Sequence, residues 1–447
     1  ISYNMPQYYK IKGEVSFECL KEALDKLVAR HEILRTAFLM ADGEAVQKIV
    51  PEATVPFEYT ESSEKSDEEE MRDFVRPFEL SKAPQIRARL VKREGYSLFL
   101  LDMHHIVGDG MSMGTFMHEL SALYTGRELT LLEHQFKDYS EWMNSRDLTE
   151  QKEYWINQFG DEIPVLDMPL DHARPQQKSY KGRRTAVFIG EELSLQIKKL
   201  ANQSGATEYM IFLSAVMIML SKYSRQEDIV IGSPVSARTH KDTEGMLGMF
   251  VNTLAMRGKP EKTKSCEEFI REMKDICYNA YENQEYPFEE LVEEVQVQRD
   301  MSRNPLFDVM LVLQNNESAK LELEGTESER ARVQSITSQF DLTFEVETGR
   351  EGYELILEYC TDLYEEATAR QLLEHFEEIL HRMAENEKVL IGEMEMVSAG
   401  ERETILYEFN ATDSEYPREK TVVELFEEQV EKSPENTALV YEENKLT

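Results

Sequence analysis

From Leu98 to Leu101 the chain is apolar at every position, and the run ends at two histidines, an aspartate and three glycines in LDMHHIVGDGMSMG (101–114). A strand that is apolar on both faces belongs inside a sheet, covered on each side. Upstream, QIRARLVKREGYSLFLLDMHH (85–105) reads as a hairpin with Glu94-Gly95 in its turn. Downstream the period changes: Met113, Phe116, Met117, Leu120, Leu123 and Tyr124 follow i, i+3, i+4 spacing and describe a helix ending near Gly126. Ser112, just before that stripe, is the expected N-cap. The chain must therefore pass from a buried strand into a helix through one polar corner, the kind of place where a rigid scaffold presents function.

Two chemistries fit the corner. Gly110-Met111-Ser112-Met113-Gly114 matches the G-x-S-x-G pattern of a serine nucleophile. Such a serine sits on the sharp turn directly after its strand, whereas Ser112 comes late, at a helix start. Histidines do follow (His118, His134, His172, His240, His375, His381), so a triad stays open by count. Alternatively a histidine of the pair His104-His105 does the work. Successive strand side chains point to opposite faces, so one ring would face a site and the other the packing behind it. Asp109, beside Gly110, can hold local backbone N–H groups or an arginine. Periodicity leaves both readings open.

The whole chain sets the wider bounds. At 447 residues it exceeds what one hydrophobic core fills, and 41% hydrophobic residues with 9% aromatics describe a globular protein. The longest apolar run, Tyr209 to Leu220, is broken only by Ser214 and is too short for a bilayer, so a buried core helix and no membrane partner are expected. A net charge of −36 argues against nucleic acid; the run EKSDEEEMRD (64–73) reads as a solvated helix face. Cys19, Cys266, Cys277 and Cys360 are scattered without C-x-x-C, and no H-E-x-x-H occurs. Neither a metal nor a disulfide framework is expected, and a reducing cytoplasm fits. No secretory signal opens the chain, which begins at Ile1 and is expected to be a piece of something longer.

Along the chain, a strand at 8–15 precedes a helix at 17–29 carrying Leu20, Ala23, Leu24 and Leu27 on one stripe. RHEILRTAF (30–38) runs on into extended chain, and EEEMRDFVRPFEL (68–80) is amphipathic up to Pro77. IPVLDMPLDHARPQQKSYKG (163–182), with three prolines, reads as a crossover. Beyond it strands are expected near 184–189, 228–234, 307–314, 340–347 and 353–360, and helices near 191–203, 207–224, 266–282, 287–295 and 366–384. The expectation is two α/β lobes of comparable size. The tail 409–447 has a polar linker, an amphipathic helix on Val422, Val423, Leu425, Phe426 and Val430, and a strand TALVYE with no partner expected in the chain.

His104-His105-x-x-x-Asp109-Gly110 resembles the signature of the condensation domains of nonribosomal peptide synthetases, relatives of chloramphenicol acetyltransferase. Further motifs of that family follow in order: RHEILRTAF (30–38), FKDYSEW (136–142), IGSPVSAR (231–238), GMFVNTLAMR (248–257), NQEYPFEEL (283–291) and RDMSRNPLFDVM (299–310). The tail is similar to the linker and opening of an adenylation domain.

The resemblance implies an α/β (α+β) fold of two acetyltransferase-like lobes forming a V-shaped pseudo-dimer around a tunnel. Residues 1–165 would form the N-terminal lobe, 166–395 the C-terminal lobe, and 396–447 the linker and truncated adenylation start. It implies that upstream donor and downstream acceptor carrier proteins deliver thioesters on phosphopantetheine arms, with no cofactor bound by the domain itself. The acceptor's α-amine would attack the donor carbonyl, with His105 as base or positioner of the amine and His104 as part of the frame. Asp109 would be structural, held by an arginine, with Arg238 and Arg257 as candidates and Arg35 behind them. Gly110 would let its backbone approach the reacting carbonyl. A thioester is already activated, which agrees with Ser112 as a cap. Gly108 stands where relatives often have Ser, and Met111 where they often have a bulkier residue such as Trp. The domain is expected to be monomeric as a fragment and to take an L-configured donor. The rival readings are an epimerisation or carrier-recruiting member of the superfamily and a serine hydrolase using Ser112.

Overall fold

Two mixed sheets form, each with its own core, and apolar patterning explains which strands lie inside them. The computed structural model describes residues 3–61, 64–295, 300–314, 320–331, 337–349 and 352–447. It divides into the units Ile1–Met396 and Val397–Thr447. The first half of the larger unit runs β1 (Gln7–Lys12), α1 (Phe17–Arg30), a hairpin of β2 (Thr36–Ala41) and β3 (Glu44–Ile49), β4 (Phe57–Glu61), α2 (Asp67–Phe74), β5 (Ile86–Lys92), β6 (Ser97–Met103), α3 (Gly110–Tyr124), α4 (Phe136–Asn144) and α5 (Thr149–Gln158). The second half runs β7 (Gly182–Ile189), α6 (Glu191–Ser204), α7 (Glu208–Ser224), β8 (Ile229–Val235), β9 (Asn252–Gly258), α8 (Cys266–Glu282), α9 (Phe288–Glu294), β10 (Val309–Gln314), β11 (Glu327–Arg330), β12 (Leu342–Thr348), β13 (Tyr353–Cys360) and α10 (Glu366–Glu385).

The first sheet has the order β11-β1-β6-β5-β4, so β6 is its middle strand and is buried at all seven positions. Phe99, Leu101 and Met103 face the main first core with α1 and α3. Leu98 and Leu100 face a smaller cluster under α2, with Met71 and Phe74. That is why the run is apolar on both faces. The second sheet has the order β7-β13-β12-β10-β8-β9, with β10 parallel to β8 and β12. Its core is organised by α7, buried continuously from Met210 to Ser221, and Phe212 meets the rings of Tyr353 and Phe376 edge-on. Among the described residues no single helix is long and apolar enough to cross a membrane.

A cut at residue 165 does not separate the two cores. Trp155 and Phe159, at the end of α5, pack into the second core. In return Leu321 and Leu323 enter the first core, and β11 pairs with β1 at the edge of the first sheet. The crossover is tied down along its length: Arg174 pairs with buried Asp341, and the Lys178 N–H donates to the Met301 carbonyl. Asn304, next to Pro305, accepts from the Lys178 ammonium.

In the smaller unit α11 (Ala399–Glu403) and α12 (Val422–Lys432) precede a hairpin of β14 (Leu439–Tyr441) and β15 (Asn444–Leu446). The expectation that TALVYE lacks a partner is therefore corrected. Its partner is the short triplet Asn444–Leu446, whose single apolar residue, Leu446, pairs with Leu439 and gives no periodic signal.

Replacing Phe212 by Ala removes a fully buried ring and is expected to cost about 3–5 kcal/mol of unfolding free energy. Phe188→Ala, at a 56% exposed ring, is expected to change it by less than about 0.5 kcal/mol. Urea unfolding of the two variants checks the contrast.

Candidate active site

The corner after β6 is built by a strand that stops early. His104 makes a single bridge to Asn4, and His105–Val107 form a 3-10 turn before α3 begins at Gly110. The two histidines are thus separated by a change of backbone geometry, and strand alternation no longer governs His105. The His104 ring accepts the Ile106 N–H at Nδ1, 3.1 Å away, which places its own proton on Nε2. Burial, and secondarily the neighbouring His105, hold its pKa below the usual histidine range. Phe78 and Tyr3 pack against the ring. His104 is a neutral turn-former. His105 is partly exposed; its backbone N–H donates to the Tyr3 carbonyl at 2.8 Å. Its Nδ1 is buried and has no partner among the described residues.

Asp109 is completely buried. It is the N-cap of α3, accepting the Ser112 N–H at 2.7 Å through Oδ1. Oδ2 accepts the Phe250 N–H at 3.1 Å, and Arg238 Nη2 lies 3.3 Å from Oδ1. A carboxylate taken out of water survives as an anion when its lone pairs are filled in this way. Arg238 is equally enclosed and donates besides to the carbonyls of Thr243 and Met246. Burial pulls its pKa down while Asp109 opposes the shift; a guanidinium keeps its charge regardless.

Ser112 is not the cap; it lies in the first turn, buried. Its Oγ donates to the Gly248 carbonyl at 2.8 Å and accepts from the Gly248 N–H at 3.1 Å and from Arg238 Nη2 at 2.9 Å. A hydroxyl has one proton and two lone pairs, so this one is fully engaged and faces no base. Asp109 and Ser112 together clasp residues 248–250 of the second half against the first.

Of the three candidate arginines, the structure brings only Arg238 to Asp109. Arg257 pairs with Asp228 and Asp161 and donates to the carbonyls of Gln158 and Glu162, pinning the end of α5. Arg35 donates to the Val50 carbonyl and lies 3.6 Å from Glu32. Both are structural elsewhere.

Sequence reading missed an aromatic wall behind Arg238. Its guanidinium lies 3.9 Å from the Phe250 ring centre, and Phe136 and Tyr139 pack on that ring. Gly248 is required here, since a Cβ would fall 2.1 Å from the Phe136 ring. Gly108 is snug, a Cβ meeting Met103 Sδ at 3.0 Å. Gly110 is different: it is exposed, and a Cβ would meet nothing within 4 Å. The fold does not demand a glycine at 110. Met111 and Met249, flanking the clasp, are 40% and 37% exposed. Among the described residues no group of three or more His, Cys, Asp or Glu side chains is arranged to hold a metal.

The family model for the condensation domain matches residues 1–406. The chain belongs to the condensation-domain family. Over its full length it is 43% identical to bacitracin synthase 3 of Bacillus licheniformis and to gramicidin S synthase 2 of Brevibacillus brevis, covering 7% and 10% of those proteins. It thus spans about a tenth or less of such relatives. A four-domain nonribosomal peptide synthetase, solved bound to AMP and glycine, superposes with a TM-score of 0.87 over the whole chain and 36% of its own, at 20% identity. The superposition gives the acetyltransferase-like α/β fold; the family match, separately, places the chain among the amide-forming acyltransferase domains of nonribosomal peptide synthetases.

Two outcomes test the geometry. Arg238→Met leaves Asp109 buried without its cation and is expected to lower stability by about 3 kcal/mol and to abolish amide formation; Arg257→Met is expected to leave turnover largely intact. Thermal melts and turnover assays check both. The depressed pKa of His104 means that the unfolded chain takes up its proton first as pH falls below about 6.5. The associated stability is present above that pH and is lost towards the lower folded value. His104→Asn keeps an acceptor for the Ile106 N–H and is expected to flatten the acid-side decline of Tm.

Proposed function

We propose that the corner forms an amide bond between two tethered thioester substrates, with His105 acting on the amine. A donor carrier protein presents a peptidyl or aminoacyl thioester, and an acceptor carrier presents an aminoacyl thioester, each on a phosphopantetheine arm. The α-amine of the acceptor attacks the donor carbonyl and the C–S bond breaks; the proton the amine gives up ends on the departing carrier thiolate, with His105 either relaying it or orienting the amine. The reactants meet in a tunnel between a lobe centred on residues 1–165 and one centred on 166–395, with β11 and α5 exchanged between them. Residues 396–447 lead into an adjoining adenylation domain, and the domain works in the cytoplasm, on an L-configured donor.

One contrast carries this reading: the Ser112 hydroxyl is wholly spent on Arg238 and Gly248, while His105 is partly exposed at the corner. A thioester needs no covalent nucleophile, so positioning and proton management suffice. No carboxylate pairs with His105 among the described residues, so the corner lacks the oriented His–carboxylate pair that a serine nucleophile would use. The open face at Gly110 lets the first amide of α3 approach the carbonyl oxygen as its charge develops. Asp109 and Arg238 hold both in register.

With matched thioesters loaded on donor and acceptor carriers, His105→Ala is expected to slow dipeptide formation by about 10²-fold or more. Ser112→Ala is expected to retain turnover within about tenfold, losing mainly the clasp to Gly248. Mass spectrometry of the acceptor carrier reads both. Undiminished product from His105→Ala would overturn the assignment.

A further inference from the structure

We propose that Glu285 is a positioning residue for this site, acting through the loop that carries Arg238. The inference rests on the amide-forming reading above. Glu285 Oε1 accepts from Thr239 Oγ1 at 2.6 Å and from Arg146 Nη1 at 2.8 Å. Thr239 directly follows Arg238, and Arg146 belongs to the link between α4 and α5 in the other half of the unit. One carboxylate oxygen therefore ties the Arg238 loop to the opposite half.

The loop needs such a tie. Ala237, immediately before Arg238, has φ +47°, in the left-handed region, and is buried. A side chain in that region is disfavoured relative to glycine and persists only where the surroundings hold it. The clasp of Arg238 on Asp109 and Ser112 holds it on one side, and the Thr239–Glu285 bond holds it on the other.

Glu285 is itself mounted on fixed backbone. Asn252 Nδ2 donates to the carbonyls on either side of it, Gln284 at 2.8 Å and Tyr286 at 2.7 Å. Asn252 Oδ1 accepts the Phe288 N–H at 3.1 Å, and Trp155 Nε1 donates to the Asn283 carbonyl at 2.8 Å. The contacts then close into a ring. From Glu285 it passes through Arg146, stacked 4.8 Å from the Trp142 ring, to Tyr139 and Phe250, and through Arg238 and Thr239 back to Glu285. Arg238 is thus held from behind by a closed circuit whose single anionic member is Glu285. Shortening that side chain by one methylene prevents it from reaching both donors.

The test compares Glu285→Asp, Thr239→Val and Glu285→Asp/Ala237→Gly with wild type in two assays: dipeptide formation with loaded carriers, and amide hydrogen exchange of the peptides spanning 109–113 and 248–251. Those peptides contain the Ser112 and Phe250 N–H groups that Asp109 accepts. Expected are a fivefold to tenfold fall in kcat with the acceptor-carrier KM unchanged for both single variants, faster exchange of both peptides, and recovery of at least half the loss on adding Ala237→Gly. The proposal is overturned by wild-type kcat and exchange in both single variants, by a fall confined to KM, or by failure of Ala237→Gly to restore kcat and exchange. If wild type forms no amide while the variants still exchange faster and recover with Ala237→Gly, the positioning role stands and the amide-forming reading fails.

Discussion

The buried carboxylate of Asp109 is the constraint on which the site depends. An uncompensated carboxylate removed from water costs several kcal/mol, and here the compensation comes from three separate places: the first turn of α3, the amide of Phe250, and the guanidinium of Arg238. None of these alone would suffice. The corner after β6, the loop after β8 and the segment before β9 must therefore assemble together, and the placement of His105 is a property of both halves of the larger unit. Exchange of β11 and of Trp155 between the cores works in the same direction, because neither half completes its core alone.

The chemistry asked of this arrangement is modest in kind and demanding in geometry. A thioester carbonyl and an amine react without a covalent intermediate once they are held together, so the protein's contribution is placement of the amine, a route for its proton, and amide groups near the carbonyl oxygen. In the proposed reading, the partly exposed His105 and the open face at Gly110, held by a rigid frame, would supply these. The strain at Ala237 is the conformational counterpart: a backbone state of low intrinsic stability is kept because the ion pair and the Glu285 circuit over-determine it.

Much of this was legible before any coordinates. β5, β6, α3, α7, α8 and α10 follow directly from apolar period, because each buries a face that its own sequence defines. β11 was not legible: it is the four polar residues ESER on a sheet edge, and its partner β1 lies more than 300 residues away. The start of α3 was misplaced for a related reason. Gly110 and Met111 are exposed, so the first two residues of α3 contribute nothing to the apolar stripe that begins at Met113, and Ser112 reads as the boundary. His105, Asp109 and Gly110 were singled out by a family motif. The choice of Arg238 over Arg257 was not, since both end motif blocks, IGSPVSAR and GMFVNTLAMR. What separates them is the left-handed residue before Arg238, which turns its chain towards Asp109 and leaves no periodic trace.

The most direct test is to incubate the domain with donor-loaded carrier and follow its intact mass before and after adding the acceptor-loaded carrier. A site that works by positioning keeps the unmodified mass at every time point, while the extended product accumulates on the acceptor only after mixing. A transient increase equal to the donor acyl group, mapped to Ser112 and discharged by the acceptor, would contradict it.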